Sequence, residues 1–156
     1  MPTAVTTFLD SAQIEYQIKP HRQAVYTCAD AARERKVRLS QILKCMLGQD
    51  EQQQLYVMLI PGDKILKIKR VRQLTQGRRV ALIPPEAIAS QWGLTVGAVS
   101  PIQLLGKAQQ FFMDNTVFRE DLVTMSSGEP DAGIMVRSQT LAELVNAVRC
   151  DIISTR

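Results

Sequence analysis

The fold is decided by two apolar stretches, ILKCML at residues 42–47 and LYVMLI at residues 55–60. A polar, glutamine-rich turn separates them, and short apolar runs bounded by a turn are typical of paired strands. We predict a β-hairpin here, although a helical turn just before Lys44 also fits the pattern. Lys44 is the unusual member of the first run. An ammonium group among apolar neighbours is costly to desolvate unless an anion or a carbonyl group partners it.

Helical and strand patterns continue on both sides of this hairpin. We predict helices over residues 3–12, from Cys28 with Thr27 as its cap, over 63–75, and after Ser138 as far as Val148. Further strands are predicted near residues 80–83, 109–113, 121–126 and 133–137. This order predicts one α/β (α+β) domain over residues 1–156, with a mixed, curved, barrel-like β-sheet and helices packed on it.

The composition excludes several classes of protein. The chain of 156 residues has 46% hydrophobic residues, one histidine and three cysteines without CxxC spacing. These numbers favour a globular fold and argue against a metal site or a disulfide framework. No apolar run approaches the roughly 20 residues that span a bilayer, and the N-terminus lacks the pattern of a secretory signal. We therefore expect a cytoplasmic protein that does not bind a membrane or a metal. The net charge of +4 is compatible with a polyanionic partner.

A second unusual segment is GAVSP at residues 97–101. Glycine permits a positive φ and close approach of a ligand, and such a loop can direct backbone N–H groups at an oxyanion or a phosphate. The simpler interpretation is an ordinary tight connection. For Lys44, likewise, the simpler interpretation is a side chain that extends its ammonium to the surface.

A run of cations follows the hairpin, and no acidic residue occurs between Asp63 and Glu86. Such runs usually form the solvated face of a helix, but they can also hold a nucleic-acid backbone. Its members are Lys64, Lys67, Lys69, Arg70, Arg72, Arg78 and Arg79. His21 at a strand exit, and the segment Ser126-Ser127-Gly128 after another strand, are further pocket candidates, although loop residues of these types are common.

The order of these motifs resembles the YbaK/prolyl-tRNA synthetase-associated editing domain family over residues 5–149. His21, Thr27 and the following alanines look like the family's entry to its second helix. QILK at residues 41–44 resembles the segment with the central lysine, and LIPGD at 59–63 resembles the end of the next strand. GAVSP at 97–101 matches the family loop GxxSP, and VTMSSG at 123–128 resembles a closing strand with its glycine.

The resemblance implies an aminoacyl-tRNA deacylase that acts in trans on mischarged tRNA, without metal or organic cofactor. It implies catalytic roles for Lys44, Gly97 and Ser100, with Ser100 positioning the loop because no partner base is evident. It further implies substrate contacts from His21, Thr27, Ala98, Val99, Pro101 and Gly128. The partners would be tRNA, held by Lys64, Lys67, Lys69, Arg70 and Arg72, and an aminoacyl-tRNA synthetase.

Two alternatives to the deacylase stay open at this point. One is a non-catalytic module that binds a small molecule or nucleotide in the same pocket, and the other is a synthetase-associated adaptor. The sequence also departs from the family in two places. Cys45-Met46 stand where the alanine-clearing subgroup has asparagine, and residues 129–132 replace a short basic turn.

Overall fold

The structure is a computed structural model that describes residues 3–95 and 97–154. Its helices are α1 (Ala4–Ser11), α2 (Cys28–Arg35), α3 (Ile68–Leu74), α4 (Pro85–Trp92) and α5 (Ser138–Leu144). Its strands are β1 (Gln17–Pro20), β2 (Leu43–Gln49), β3 (Leu55–Pro61), β4 (Ala81–Leu82), β5 (Ala108–Asp114), β6 (Leu122–Ser126), β7 (Ala132–Arg137) and β8 (Val148–Cys150). Short 3₁₀ turns occur at Leu39–Gln41, Pro101–Leu104 and Asn115–Arg119. Among the residues that the structure describes, no helix is long and apolar enough to cross a membrane.

The larger sheet contains the predicted hairpin. Its strand order is β4-β2-β3-β5-β8, and β2 pairs antiparallel with β3 so that Lys44 lies opposite Ile60. The β3–β5 and β5–β8 pairs are parallel. Every residue of β3 is buried, because this central strand is covered on both faces. The hairpin and the mixed α/β class predicted from the sequence are therefore confirmed.

The remaining strands form a second, smaller sheet of order β1-β7-β6. A parallel bridge between Ile42 and Thr124 connects the two sheets at one point. The sequence pattern predicted one curved, barrel-like sheet, but the observed strands form two sheets that do not close into a barrel. The difference arises because β7 pairs with β6 on one side and with β1 on the other, and neither β6 nor β7 pairs along the length of β2.

Long-range pairing also moves the ends of two predicted helices. The helix predicted over 63–75 begins only at Ile68, since the preceding residues pair with the C-terminal segment through Lys67 N–H to the Ile152 carbonyl (2.7 Å). Val148, predicted on the last helix, lies in β8 instead. In both places a strand-like tertiary contact outweighs the local helical pattern.

The hydrophobic core lies mainly between the two sheets. Leu47 and Leu59 of the larger sheet belong to the same buried cluster as Met125 and Ile134 of the smaller sheet. A second cluster covers the other face of the larger sheet, where Val71 of α3 packs. The first strand of the hairpin thus lies beside both the inter-sheet core and α2, where a cleft opens.

Candidate active site

A cleft of about 240 Å³ opens where α2, β2 and the loop around Gly97 meet. Its wall is mostly aliphatic, and no aspartate or glutamate lines it within residues 3–95 and 97–154. The lining residues are Val25, Tyr26, Thr27, Cys28, Ala31, Arg35, Ile42, Leu43, Lys44, Cys45, Leu47, Ile88, Gly97, Val99 and Ser126. Four residues predicted for the site, distant in sequence, meet in this cleft: Lys44, Gly97, Thr27 and Val99.

Lys44 projects from β2 with its ammonium group held in place. The alternation of the strand separates it from Leu43, which is buried in the main core. The Nζ atom donates a hydrogen bond of 2.7 Å to the Lys64 carbonyl oxygen, and the side chain is half-buried. No carboxylate within the described part of the chain forms a salt bridge with it. Lys44 therefore brings an uncompensated positive charge to the cleft.

The loop opposite Lys44 depends on glycine at position 97. Gly97 has a φ of +83°, a conformation that is costly for residues with a side chain. A Cβ atom here would also lie only 3.1 Å from the Cα atom of Tyr26. Gly97 thus allows the loop to approach the segment before α2, and Val99 then faces the cleft.

The rest of this loop faces the protein interior. Ala98, Ser100 and Pro101 are buried and do not line the cleft. The Ser100 hydroxyl accepts a hydrogen bond from the Ile102 N–H (3.3 Å) and lies 3.7 Å from the Met125 sulfur. The sequence grouped these three residues with the site, but in the structure they form the support of the loop. Ser100 caps the turn that follows and does not present its hydroxyl to a ligand.

Helix α2 contributes one face to the cleft. The Thr27 side chain accepts a hydrogen bond from the Asp30 N–H, which confirms the predicted cap. Cys28, Ala31 and Arg35 follow at spacings of three and four residues, so that they share one face of the helix and line the cleft together.

His21 and Gly128 lie behind the cleft wall and not on it. The His21 Nδ1 atom is 2.8 Å from the Pro130 carbonyl oxygen, and its Nε2 atom accepts a hydrogen bond of 3.1 Å from Arg35 Nε. Burial lowers the pKa of His21, and the nearby Arg35 charge lowers it further, against the raising effect of the Pro130 carbonyl. Gly128 has a φ of +93° and packs against the Gln103 amide. Both residues support the site from outside the cleft.

The two thiols of the cleft have pKa values raised by burial. Burial raises the pKa of Cys28, although the charges of Lys44 and Arg35 oppose this effect. Burial also raises the pKa of Cys45 to about 12. A neutral thiol is neither a strong nucleophile nor a metal ligand. Within the described ranges, no three His, Cys, Asp or Glu side chains are grouped as a metal would require.

The basic run lies next to the cleft, since the Lys64 carbonyl holds Lys44. Lys67, Lys69 and Arg70 are exposed. Arg72 is exposed too, but its Nε donates to the Val80 carbonyl. The absence of acids from this part of the sequence is misleading, because the fold brings Glu51 within 3.5 Å of both Arg78 and Arg79.

Sequence reasoning missed two polar residues of the cleft, Tyr26 and Arg35, whereas Ser126, part of the Ser126-Ser127-Gly128 candidate, does line it. Arg35 lies in the charged run at residues 33–36, which is typical of a solvated helix face. Its spacing from Cys28 and Ala31 was the one signal that it belongs to the cleft face of α2. For Tyr26 the sequence carries no comparable signal.

Known proteins resemble this chain in sequence and in fold. Residues 22–144 match the family model described as the aminoacyl-tRNA editing domain. The fold is similar to that of hypothetical protein APE2540, with 25% identity, a TM-score of 0.88, and coverage of 96% of this chain and 99% of that chain. It is also similar to a protein described as a "putative trans-editing enzyme for prolyl tRNA synthetase", with 18% identity, a TM-score of 0.81 and 99% of each chain covered. No curated protein matches the sequence. Since the family model covers well over half of the residues, this chain belongs to the aminoacyl-tRNA editing domain family, of the YbaK type.

Proposed function

We propose that this protein is an editing hydrolase that acts in trans and cleaves the ester between a wrong amino acid and the 3′ end of tRNA. The observation that carries the proposal is the meeting of Lys44 and the Gly97 loop on one largely aliphatic cleft. A cation and a backbone loop on a partly dry cleft are suited to stabilise negative charge that develops on an ester carbonyl.

The chemistry needs no covalent intermediate, because an aminoacyl ester is already activated. Water adds to the carbonyl carbon, the bond from that carbon to the ribose oxygen breaks, and the leaving oxygen takes up a proton. The products are a free amino acid and a tRNA with a free terminal hydroxyl. Lys44 holds the terminal phosphate or the carbonyl oxygen, and the N–H groups of the loop face the reacting carbonyl. The ribose 2′-hydroxyl of the substrate assists the proton transfer.

The side chains around Lys44 support water as the nucleophile. The Ser100 hydroxyl is buried away from the cleft, and the thiols of Cys28 and Cys45 have pKa values raised by burial. His21 is outside the cleft and engaged through both ring nitrogens. These side chains are therefore poorly suited to attack a carbonyl carbon or to activate a side-chain nucleophile.

The cleft wall bears on which amino acid is removed. Cys45 stands where the alanine-clearing subgroup of the family has asparagine, and its neutral thiol makes that part of the wall apolar. This departure speaks against a simple assignment to the alanine-clearing subgroup. From the family, alanyl- and cysteinyl-tRNA for proline are the first substrates to test, followed by seryl- and threonyl-tRNA. Because one methylene is worth only about 1–3 kcal/mol in a pocket, contacts to the tRNA itself must add selectivity. The exposed cations Lys67, Lys69 and Arg70 are our candidates for those contacts.

A deacylation panel of mischarged tRNAs tests the proposal. We expect Lys44→Ala to lower the rate on the preferred substrate about 10²–10³-fold, as is typical when one electrostatic contact to a transition state is removed. Lys107→Ala is the matched control, since Lys107 is exposed and does not line the cleft. Thermal melts of both variants show whether the fold is intact.

The same panel distinguishes the other functions. If a folded Lys44→Ala variant hydrolyses the preferred substrate at the wild-type rate, the role given to Lys44 is wrong. If the wild-type protein binds the terminal aminoacyl-adenosine but hydrolyses no member of the panel, the protein is a non-catalytic binding module and the hydrolase proposal fails.

A further inference from the structure

Arg35 is a buried cation without an anionic partner. It has only 6% of its surface exposed, at the cleft wall, and forms no salt bridge with a described residue. A buried charge that lacks an opposite charge is strongly unfavourable. The cost suggests that the cleft is built for a ligand that supplies the missing negative charge.

The present hydrogen bonds of Arg35 leave its charge uncompensated. Its Nε donates to His21 Nε2 and its Nη1 donates to Thr124 Oγ1, both over 3.1 Å. The Pro130 carbonyl near His21 Nδ1 can only accept, so Nδ1 carries the ring hydrogen and Nε2 is a neutral acceptor. Both partners of Arg35 are therefore uncharged. In the described part of the chain the Nη2 group has no hydrogen-bond partner, and it remains available to a ligand.

The neighbouring strand makes room for this guanidinium group. A Cβ atom on Gly133 of β7 would lie 2.5 Å from Arg35 Cζ and closer still to Arg35 Nε. Only glycine fits at such a distance, and the hydrogen bonds to His21 and Thr124 hold the guanidinium group there. An arginine held this tightly has little freedom to turn toward solvent, and its orientation is set before a ligand arrives.

The two cations of the cleft occupy different parts of its wall. Lys44 is held by the Lys64 carbonyl, next to the exposed basic run, while Arg35 is held by the buried residue Thr124 of β6. Cys28 lies within electrostatic range of both. The two cations are therefore held by different segments of the chain.

We propose that Arg35 binds an anionic oxygen of the ligand through Nη2, on the buried part of the cleft wall. The identity of that ligand as the 3′ end of an aminoacyl-tRNA rests on the proposed function. The oxygen then belongs to one of two groups, the phosphodiester before the terminal adenosine or a carboxylate on the aminoacyl side chain. Both present the oxygen that a guanidinium group prefers.

Binding of non-hydrolysable 3′-amide analogues, measured by calorimetry, tests the inference and separates the two sources. One pair compares alanylamino-adenosine with the same compound extended to cytidylyl-adenosine, which adds one phosphodiester. The other pair compares aspartyl- with asparaginylamino-adenosine. The proteins are wild type, Arg35→Gln, Arg35→Lys, and Arg33→Gln as the control, because Arg33 is an exposed arginine on the same helix.

We expect Arg35→Gln to weaken binding of the anionic member of one pair about 10- to 100-fold, the range for losing a hydrogen bond to a charged group. The neutral member should change less than about threefold. Arg35→Lys should keep part of the preference for the anionic analogue over the neutral one, and Arg33→Gln should keep all of this preference. The pair that responds identifies the phosphodiester or the carboxylate as the source.

Equal losses for all four analogues, or no loss, would overturn the role of Arg35, as would a wild-type protein that binds none of them. If both Arg35 variants fail to fold, binding is measured with Lys44→Gln instead. Because this variant retains Arg35, it must still bind one anionic analogue more tightly than its neutral counterpart. Because binding is measured without turnover, the absence of hydrolysis would count against the proposed function and leave this inference standing.

Discussion

Replacing Gly133 by alanine is the most direct test of how the buried arginine is held. The new Cβ atom would have to lie 2.5 Å from Arg35 Cζ and closer still to Nε, and atoms at such distances cannot coexist. The backbone at Gly133 has an ordinary φ, so alanine adds no conformational strain of its own. Any loss of stability must therefore arise from collision with the Arg35 side chain, because the change of glycine to alanine itself favours folding through the unfolded state. Either β7 moves or Arg35 leaves its hydrogen bonds to His21 and Thr124.

The size of the effect follows from these two costs. Overpacking a well-filled interior costs about 1–3 kcal/mol, and a hydrogen bond to a charged group is worth about 1.5–3 kcal/mol. If one of these costs is incurred in full and the other in part, the free energy of unfolding should fall by roughly 2–5 kcal/mol. For a chain of this size that corresponds to a drop in Tm of roughly 4–20 °C.

The assay is a double-mutant cycle with thermal and urea unfolding of wild type, Gly133→Ala, Arg35→Ala and the double variant. Once Arg35 is truncated, the methyl group added at position 133 has space, so the two changes should be coupled by about 1 kcal/mol or more. Losses that add within about 0.5 kcal/mol would contradict this prediction, since they would mean that the two side chains do not compete for the same space.

Two further predictions concern charge. In the folded protein the pKa of His21 lies below its usual 6.5. As the pH falls, the unfolded chain therefore binds a proton at this residue before the folded chain does. The free energy of unfolding should consequently decrease below about pH 6.5. In His21→Gln this loss between about pH 7.5 and 5.5 should largely disappear, because the chain has no other histidine; an unchanged pH slope in urea titrations would contradict the assignment. For tRNA, replacing Lys67, Lys69 and Arg70 by glutamine should lower the slope of log affinity against log salt by roughly 0.7–0.9 for each phosphate group that is no longer neutralised. The control replaces Arg78 and Arg79, which pair with Glu51, and an equal fall in both proteins would rule out a special role for the first three residues.

Much of the site follows from local sequence. Alternation in β2 separates Lys44 from Leu43, and this depends only on the two-residue period of a strand. The cap at Thr27 and the need for glycine at position 97 are likewise local, because they concern backbone conformation within a few residues. The order of these motifs along the chain was enough to indicate the family.

Other assignments depended on segments that are remote in sequence. Ser100 has the same local surroundings whether its hydroxyl faces a ligand or the core, and the position of Met125 decides between the two. The run of cations at 64–79 is free of acids along the chain, yet Glu51 pairs with its last members in space. The division into two sheets also reflects the choice of pairing partners, which local patterns do not specify.

Sequence alone therefore determined the apolar hairpin, the lysine within it and the glycine loop opposite, because periodicity and backbone conformation are set by near neighbours. Tertiary structure decided that Arg35 is a buried cation of the cleft and not part of a solvated helix face. Its charge is held by Thr124, 89 residues away, and its space is provided by Gly133. Burial is a property of the assembled chain, since it depends on which distant segments exclude water from a side chain.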